Sequence, residues 1–192
     1  MVIPTDILLS WYRNGIFPMA EPQTGEIYLF NPDPRCIIDL DEFHVSFSLE
    51  KIIRSGKFEV RFNTAFEDVM RACAKRDETW ISEDIIESYC ALHREGSGCS
   101  VECWRNDRLV GGLYGVSLGG AFFGESMFHV ERDASKVALA ALVSRMKQRN
   151  MILLDTQYST PHLARFGAKE ISQTEYLRRL TKALRIQTTF YP

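Results

Sequence analysis

An α+β fold, with a mostly antiparallel sheet flanked by helices and a short N-terminal appendage, is predicted by three observations. Alternating apolar patterning over residues 98–129, interrupted at Asn106-Asp107 and at Gly119-Gly120, marks three strands of an antiparallel meander. A helical stripe of Val137, Leu139, Ala140, Leu142, Val143 and Met146 follows, and then the run "MILLDTQ", an apolar strand without polar alternation and therefore central. Finally, 192 residues with 45% hydrophobic and 25% charged side chains suit one medium domain that buries a core, which excludes repeat arrays and wholesale disorder.

The elements follow in order. Residues 1–35 hold five of the seven prolines in short apolar pieces and predict a helix followed by an irregular segment, set apart as a small N-terminal subdomain from a main domain of 36–192. A strand at "CIIDL", a helix over 48–55 and a strand at "FEVRF" come next. A helix with Asn63 as its N-cap and another over 82–95, stopped by Gly96, complete the first half. After the meander come a helix over 134–149, the central strand, a short helix over 161–166, a strand beyond Gly167 and a basic C-terminal helix. This order of meander, helix, central strand, helix and strand is that of the GNAT-type acyltransferase fold, whose splayed sheet opens a cleft for an acyl donor.

Charge is unevenly spread. Lys and Arg number 23 against 25 Asp and Glu, yet residues 145–192 carry nine Lys/Arg against only three acids. A basic end on an acidic body fits either a polyanion-binding face or a solvated helix face. The five cysteines form no CxxC pair and no apolar leader opens the chain, so a reducing cytoplasmic compartment is expected; no segment is long enough to cross a membrane. The four histidines lack metal-ligand spacing, and no metal or other cofactor is expected. The glycines of "GGLYGVSLGG" lie within and between strands rather than before a helix. The entry to the helix after the meander, Glu131 to Lys136, contains no glycine and two acids, which disfavours a pyrophosphate-bearing CoA donor.

The chemistry-bearing cluster is "GESMF" on one strand and Asp155-Thr156-Gln157 at the end of another. Two positions apart on a strand, Asp155 and Gln157 are expected to share a face at the rim of the cleft, where a carboxylate and an amide accept and relay a proton from an attacking amine. Glu125 is placed to fix an ammonium group. Helix capping by Asp155 and Gln157 and a structural ion pair for Glu125 fit the same residues equally well.

The strings "YRNGIFPM", "NPDPR", "TWIS", "SVECW", "RLVGGLYGVSLG", "FFGESMFH", "ASKVALAAL" and "LLDTQ…HL…FGAKEI" together resemble, in order and spacing over residues 8–176, the leucyl/phenylalanyl-tRNA–protein transferase family. The resemblance implies a cofactor-free aminoacyltransferase that moves Leu or Phe from aminoacyl-tRNA to the N-terminal Arg or Lys of an acceptor protein, marking it for degradation by the N-end rule. It assigns Asp155 as the catalytic carboxylate, Gln157 as its amide partner and Glu125 as the acid for the donor's α-ammonium. Leu113, Phe122, Met127, Leu142 and Met146 match the donor side-chain pocket, each with an unbranched β-carbon that suits Leu and Phe. Trp80 and Met19 match the aromatic pair that holds the terminal adenosine, and Arg178, Arg179, Lys182 and Arg185 are expected to meet tRNA phosphates. One cleft holds both substrates, so a monomer suffices.

Three departures are visible. The chain begins after a "GLLAxGGDL"-like segment usual in the family, Met19 stands where a second tryptophan is usual, and Phe30 replaces tryptophan before "PDPR". A thioether stacks on a base less well than an indole, so a looser adenosine site and a shifted donor or acceptor preference are open. A GNAT-like N-acyltransferase with another donor, and an RNA- or peptide-binding module without turnover, are the competing classes.

Overall fold

The computed structural model describes residues 2–76 and 79–191. Helix α1 (Thr5–Arg13) buries Leu8 and Tyr12. Strands β1 (Phe17–Ala20) and β2 (Ile27–Phe30) then pair antiparallel as a separate two-stranded ribbon, with Phe17 opposite Phe30 and Met19 opposite Tyr28. The proline-rich stretch expected to be irregular is therefore an ordered hairpin. A two-strand ribbon leaves each strand one unpaired edge where Pro18 needs no donor, and the Glu21 carboxylate closes the turn by accepting from the amides of Gln23 at 2.6 Å and Thr24 at 2.8 Å. Ala20 N–H donates to the Trp80 carbonyl, which fixes the hairpin to the main body.

The main sheet has seven strands in the order β4-β5-β6-β7-β8-β3-β9. They are β3 (Arg35–Ile38), β4 (Glu59–Phe62), β5 (Gly98–Arg105), β6 (Arg108–Leu118), β7 (Ala121–His129), β8 (Leu153–Gln157) and β9 (Ala168–Ile171). The meander β5-β6-β7 forms as expected, with Asn106 and Asp107 at φ 50° and 55° in its first turn, the left-handed conformations that a two-residue hairpin demands. Every pairing is antiparallel except β7 with β8. Helices α2 (Phe47–Arg54), α3 (Phe66–Ala74), α4 (Glu83–Arg94), α5 (Ala134–Gln148), α6 (Pro161–Ala164) and α7 (Gln173–Leu184) cover the two faces. One apolar layer joins Tyr12, Val69, Ile85 and Leu180 from α1, α3, α4 and α7; the other joins Leu49, Leu142 and Leu163 from α2, α5 and α6. The central strand β8 is buried nearly throughout, as an apolar run with no polar alternation requires. Among the described residues no helix is long and apolar enough to cross a membrane.

Asn63 is not an N-cap. It takes φ 59° and its Oδ1 accepts from Ser100 N–H, while the N-cap is Ala65. The amides at the start of α3 are taken instead by Glu102, fully buried on β5, whose carboxylate accepts from the N–H and hydroxyl of Thr64 and from Ala65 N–H. A long-range carboxylate has displaced the local cap.

Two irregularities open the cleft. Strand β7 pairs with β8 only from Ala121–Leu153 to Phe123–Asp155, and beyond that point the sheet parts. At the parting each strand carries one extra residue. Gly115 faces Gly124 and Tyr114 faces Ser126, which leaves Glu125 as a bulge on β7. Cys36 faces Gln157 and Ile37 faces Asp155, which leaves Thr156 as a bulge on β8, and Gln157 follows at φ 63°. Bulges re-aim side chains, and here they sit on both lips of the opening.

A Cβ on Gly115 would lie 2.1 Å from the Phe123 carbonyl oxygen and 2.6 Å from the Phe122 ring. Gly115→Ala is expected to destabilise the protein by about 2–3 kcal/mol, by urea denaturation, because neither the backbone nor the packed ring can yield without moving the bulge.

Candidate active site

Where β7 leaves β8, a cavity of about 290 Å³ enters the sheet. Its inner wall is apolar, made by Leu113, Met127, Leu139, Leu142, Leu154 and Leu163. Its mouth is framed by Met19 on the hairpin and Trp80 ahead of α4, which the Ala20–Trp80 hydrogen bond holds together. Glu125, Thr156 and Gln157 stand between wall and mouth. Of the residues the sequence singled out for a donor pocket, Leu113, Met127 and Leu142 line this cavity. Phe122 and Met146 do not: they are fully buried in the layer beneath α5, and Phe122 packs on Phe190 at 5.1 Å between ring centroids. The resemblance picks out an apolar face, of which Leu113, Met127 and Leu142 are the lining and Phe122 and Met146 the filling behind it.

Glu125 is held from one side only. Its Oε1 accepts from Tyr12 Oη at 2.7 Å and from Gln157 Nε2 at 2.9 Å. Because the single Tyr12 proton is given to Glu125, the Tyr89 hydroxyl donates to Tyr12 in a short hydrogen bond, forming a relay of two buried phenols behind the carboxylate. Glu125 Oε2 has no partner, and neither do Tyr114 Oη, Thr156 Oγ1 and His162 Nε2, all on the same cavity. Among the described residues only five buried side-chain polar atoms lack a partner, so four of them converge on one hole, the signature of a site built for a polar ligand group. Burial pushes the Glu125 carboxyl up to about 7, against the lowering pull of the Tyr12 and Gln157 hydrogen bonds.

Asp155 is elsewhere. It was expected at the rim beside Gln157, but it is fully buried on the opposite face of β8, since the Thr156 bulge breaks the two-residue alternation between them. Its carboxylate takes a forked pair of bonds from Arg35, Nε to Oδ1 at 3.0 Å and Nη2 to Oδ2 at 2.7 Å. Tyr176 Oη adds a bond at 2.7 Å, and Gln157 N–H donates to Oδ1 at 2.8 Å. Asp155 thus meets Gln157 through its backbone rather than its side chain. Arg35 is sandwiched by Phe17 and Tyr176, its Cζ 4.8 Å and 4.5 Å from their ring centroids, and donates through Nη1 to the Gly15 carbonyl. Sequence reasoning missed Arg35, Tyr12, Tyr89 and Tyr114. Only Arg35 left a signal, as a lone cation before the apolar run "CIIDL" that needs an acid if it is buried.

The basic residues of α7 do not reach the cavity. Arg178 and Arg179 both bind Glu175, and Arg179 also binds Asp39. With Lys182 they line a different groove, together with Asp39, Asp41 and Lys147. Arg185 follows at the end of the same helix. Among the described residues no three His, Cys, Asp or Glu side chains come together as a metal site, and all five cysteines are buried thiols.

Residues 37–181 match the family model described as leucyl/phenylalanyl-tRNA protein transferase. The chain belongs to that family. A leucyl/phenylalanyl-tRNA–protein transferase of Herpetosiphon aurantiacus is 56% identical over 185 residues, 96% of each chain. The proteins of that name from Rubrobacter xylanophilus and Gloeobacter violaceus are each 52% identical, over 99% of this chain and 100% and 98% of their own. The family match takes in Trp80, Glu125 and Gln157, whereas Met19 and Arg35, which close and brace the transferase-family cavity, precede it.

The raised Glu125 carboxyl has a stability consequence with a definite sign. Its folded value of about 7 lies above its ordinary 4.5, so the fold favours the protonated form and loses stability as pH rises through 7. Glu125→Gln, which keeps an oxygen for Tyr12 and Gln157, is expected to be more stable than wild type at pH 8 by up to about 3 kcal/mol, since each tenfold change in proton affinity is worth about 1.4 kcal/mol. The advantage shrinks to nothing below pH about 4, as thermal melts of both proteins across that range will test.

Proposed function

We propose that this chain transfers leucine or phenylalanine from aminoacyl-tRNA to the N-terminal Arg or Lys of an acceptor protein, the step that tags it for N-end rule degradation. The observation that carries the reading is a buried carboxylate with one unpartnered oxygen at the neck of an apolar cavity, in a chain of this family. The donor's α-ammonium pairs with Glu125 Oε2, and its side chain fills the wall of Leu113, Met127 and Leu142. The terminal adenosine lies against Trp80 and Met19, where an indole face and a thioether offer stacking and packing surfaces.

The reaction is aminolysis of an ester. The acceptor's neutral α-amine attacks the carbonyl carbon, the new C–N bond forms, the C–O bond to the adenosine ribose breaks, and the proton lost by nitrogen ends on the departing ribose oxygen. The amide nitrogen of Gln157 is committed to Glu125, so its carbonyl oxygen is the group that accepts a hydrogen bond from the attacking amine and aims it. Asp155, out of reach of substrate, holds the backbone of Gln157 in its left-handed turn and acts as a positioning residue rather than as the proton acceptor. The neck admits an unbranched β-carbon more readily than a branched one, which favours Leu and Phe over Ile and Val.

The parted, mostly antiparallel sheet is used as a GNAT-like acyltransferase scaffold, with residues 1–35 supplying the Met19 wall and 36–192 the reacting groups. The protein works in the cytoplasm as a monomer, where charged tRNA and nascent or cleaved N-termini are found.

Radiolabelled Phe or Leu on tRNA, incubated with the protein and peptides beginning with Arg, Lys or a neutral residue, tests the reading directly. Label is expected on the Arg and Lys peptides alone. Label on none, from folded protein, contradicts the transfer; label on all contradicts the acceptor rule.

A further inference from the structure

The donor's phosphates need a path away from the cavity, and α7 does not provide one. A second groove of about 790 Å³ opens beside the cavity between the end of α3, the outer half of β7 and the first turn of α5. The two share Arg76, Met127 and His162, so they are contiguous. Among the described residues, the charged and titratable groups on this groove are Arg71, Lys75, Arg76, His129 and His162 against one acid, Asp68. Arg71 is already paired with Glu67 and Glu83. Lys75 has no ion-pair partner among the described residues. Arg76 is fixed at the border of the two cavities, its Nη2 donating to the Met127 carbonyl at 2.7 Å and to Ser126 Oγ at 3.2 Å.

The field there is positive. Besides burial, Lys136, Arg165 and His129 all push the His162 ring toward its neutral form. The groove also has an apolar floor: Phe128 and Leu109 line it, as does Val130, which is 71% exposed. A cationic track with apolar surface beside it is the pattern that holds a single strand, phosphates on the charges and bases on the flat surfaces.

Resting on the function proposed above, we infer that the groove between α3 and β7 takes the phosphates of the unpaired 3′ end of the tRNA, with Arg76 as the gatepost next to the terminal nucleotide and Lys75 as the following contact. On α7, Arg178 and Arg179 are paired with Glu175 and Asp39, and with Lys182 they line a groove that shares no residue with the cavity, so that face is not the surface inferred here.

The test compares full Phe-tRNA with 3′-O-phenylalanyl-adenosine, a donor that carries no phosphate. Binding is measured against salt, and transfer is measured separately, for wild type, Lys75→Gln, Lys75→Arg and Lys182→Gln. The expected result is that Lys75→Gln weakens Phe-tRNA binding several-fold and makes the plot of log affinity against log salt shallower by about 0.7, the increment for one single-strand phosphate contact. Lys75→Arg restores both, Lys182→Gln changes neither, and the phosphate-free donor is used equally by all four proteins. An unchanged salt slope in Lys75→Gln overturns the inference, and so does an equal loss with the phosphate-free donor. A change in the KM for acceptor peptide alone also overturns it and assigns the groove to the acceptor protein. Because binding and transfer are read apart, a Lys75-dependent salt slope without any transfer contradicts the function proposed above and leaves the groove standing.

Discussion

Arg35 and Asp155 are both fully buried, and three hydrogen bonds run from the guanidinium to the carboxylate. Left alone either charge would cost several kcal/mol in the interior, so the pair persists only because its remaining hydrogen-bonding capacity is also used. Gly15 takes an arm of the guanidinium, Tyr176 donates to the carboxylate, and so does the amide of Gln157. The hairpin approach, α7, β3 and the bulged end of β8 are thereby pinned at one point, and the left-handed turn that aims Gln157 at Glu125 depends on that pin. In the proposed function Asp155 is therefore the brace of the site rather than its reacting group.

Glu125 shows the complementary arrangement. Its environment penalises its charge, with only two neutral hydrogen bonds to one oxygen and none to the other. A carboxylate kept short of partners gains most when a cation arrives, so the stability lost as pH rises from about 4.5 to about 7 is, in the proposed function, the counterpart of binding an ammonium group. The two tyrosines behind it hold its orientation without offering it charge.

Local pattern made much of this legible. The meander, its Asn106-Asp107 turn, the stripe of α5 and the doubly buried β8 all follow from periodicity and turn chemistry that act over a few residues. What stayed hidden arises from contacts across the chain. The cap of α3 comes from Glu102, the hairpin at Met19 is held by Trp80, and the partner of Asp155 lies 120 residues before it. The bulges at Glu125 and Thr156 hid most completely, because one extra residue in a strand leaves composition and hydrophobicity unchanged while it reverses which side chains face the cleft. Asp155 lies away from the rim for that reason, whereas Phe122 and Met146 fill the buried layer behind the cavity wall, a distinction that an apolar side chain on the right face does not reveal. Glu125 and Gln157 are legible from the strand pattern, and Leu113, Met127, Leu142, Trp80 and Met19 from the resemblance.

The central claim is that the free oxygen of Glu125 reads the donor's α-ammonium. Transfer from phenylalanyl-tRNA and from N-acetyl-phenylalanyl-tRNA, compared as kcat/KM in wild type and in Glu125→Gln, measures it most directly. The account predicts strong preference for the free amine in wild type and collapse of that preference in the variant, through loss of the charged donor rather than gain of the acylated one. An undiminished preference in Glu125→Gln would show that another group selects the amine, and would contradict the account.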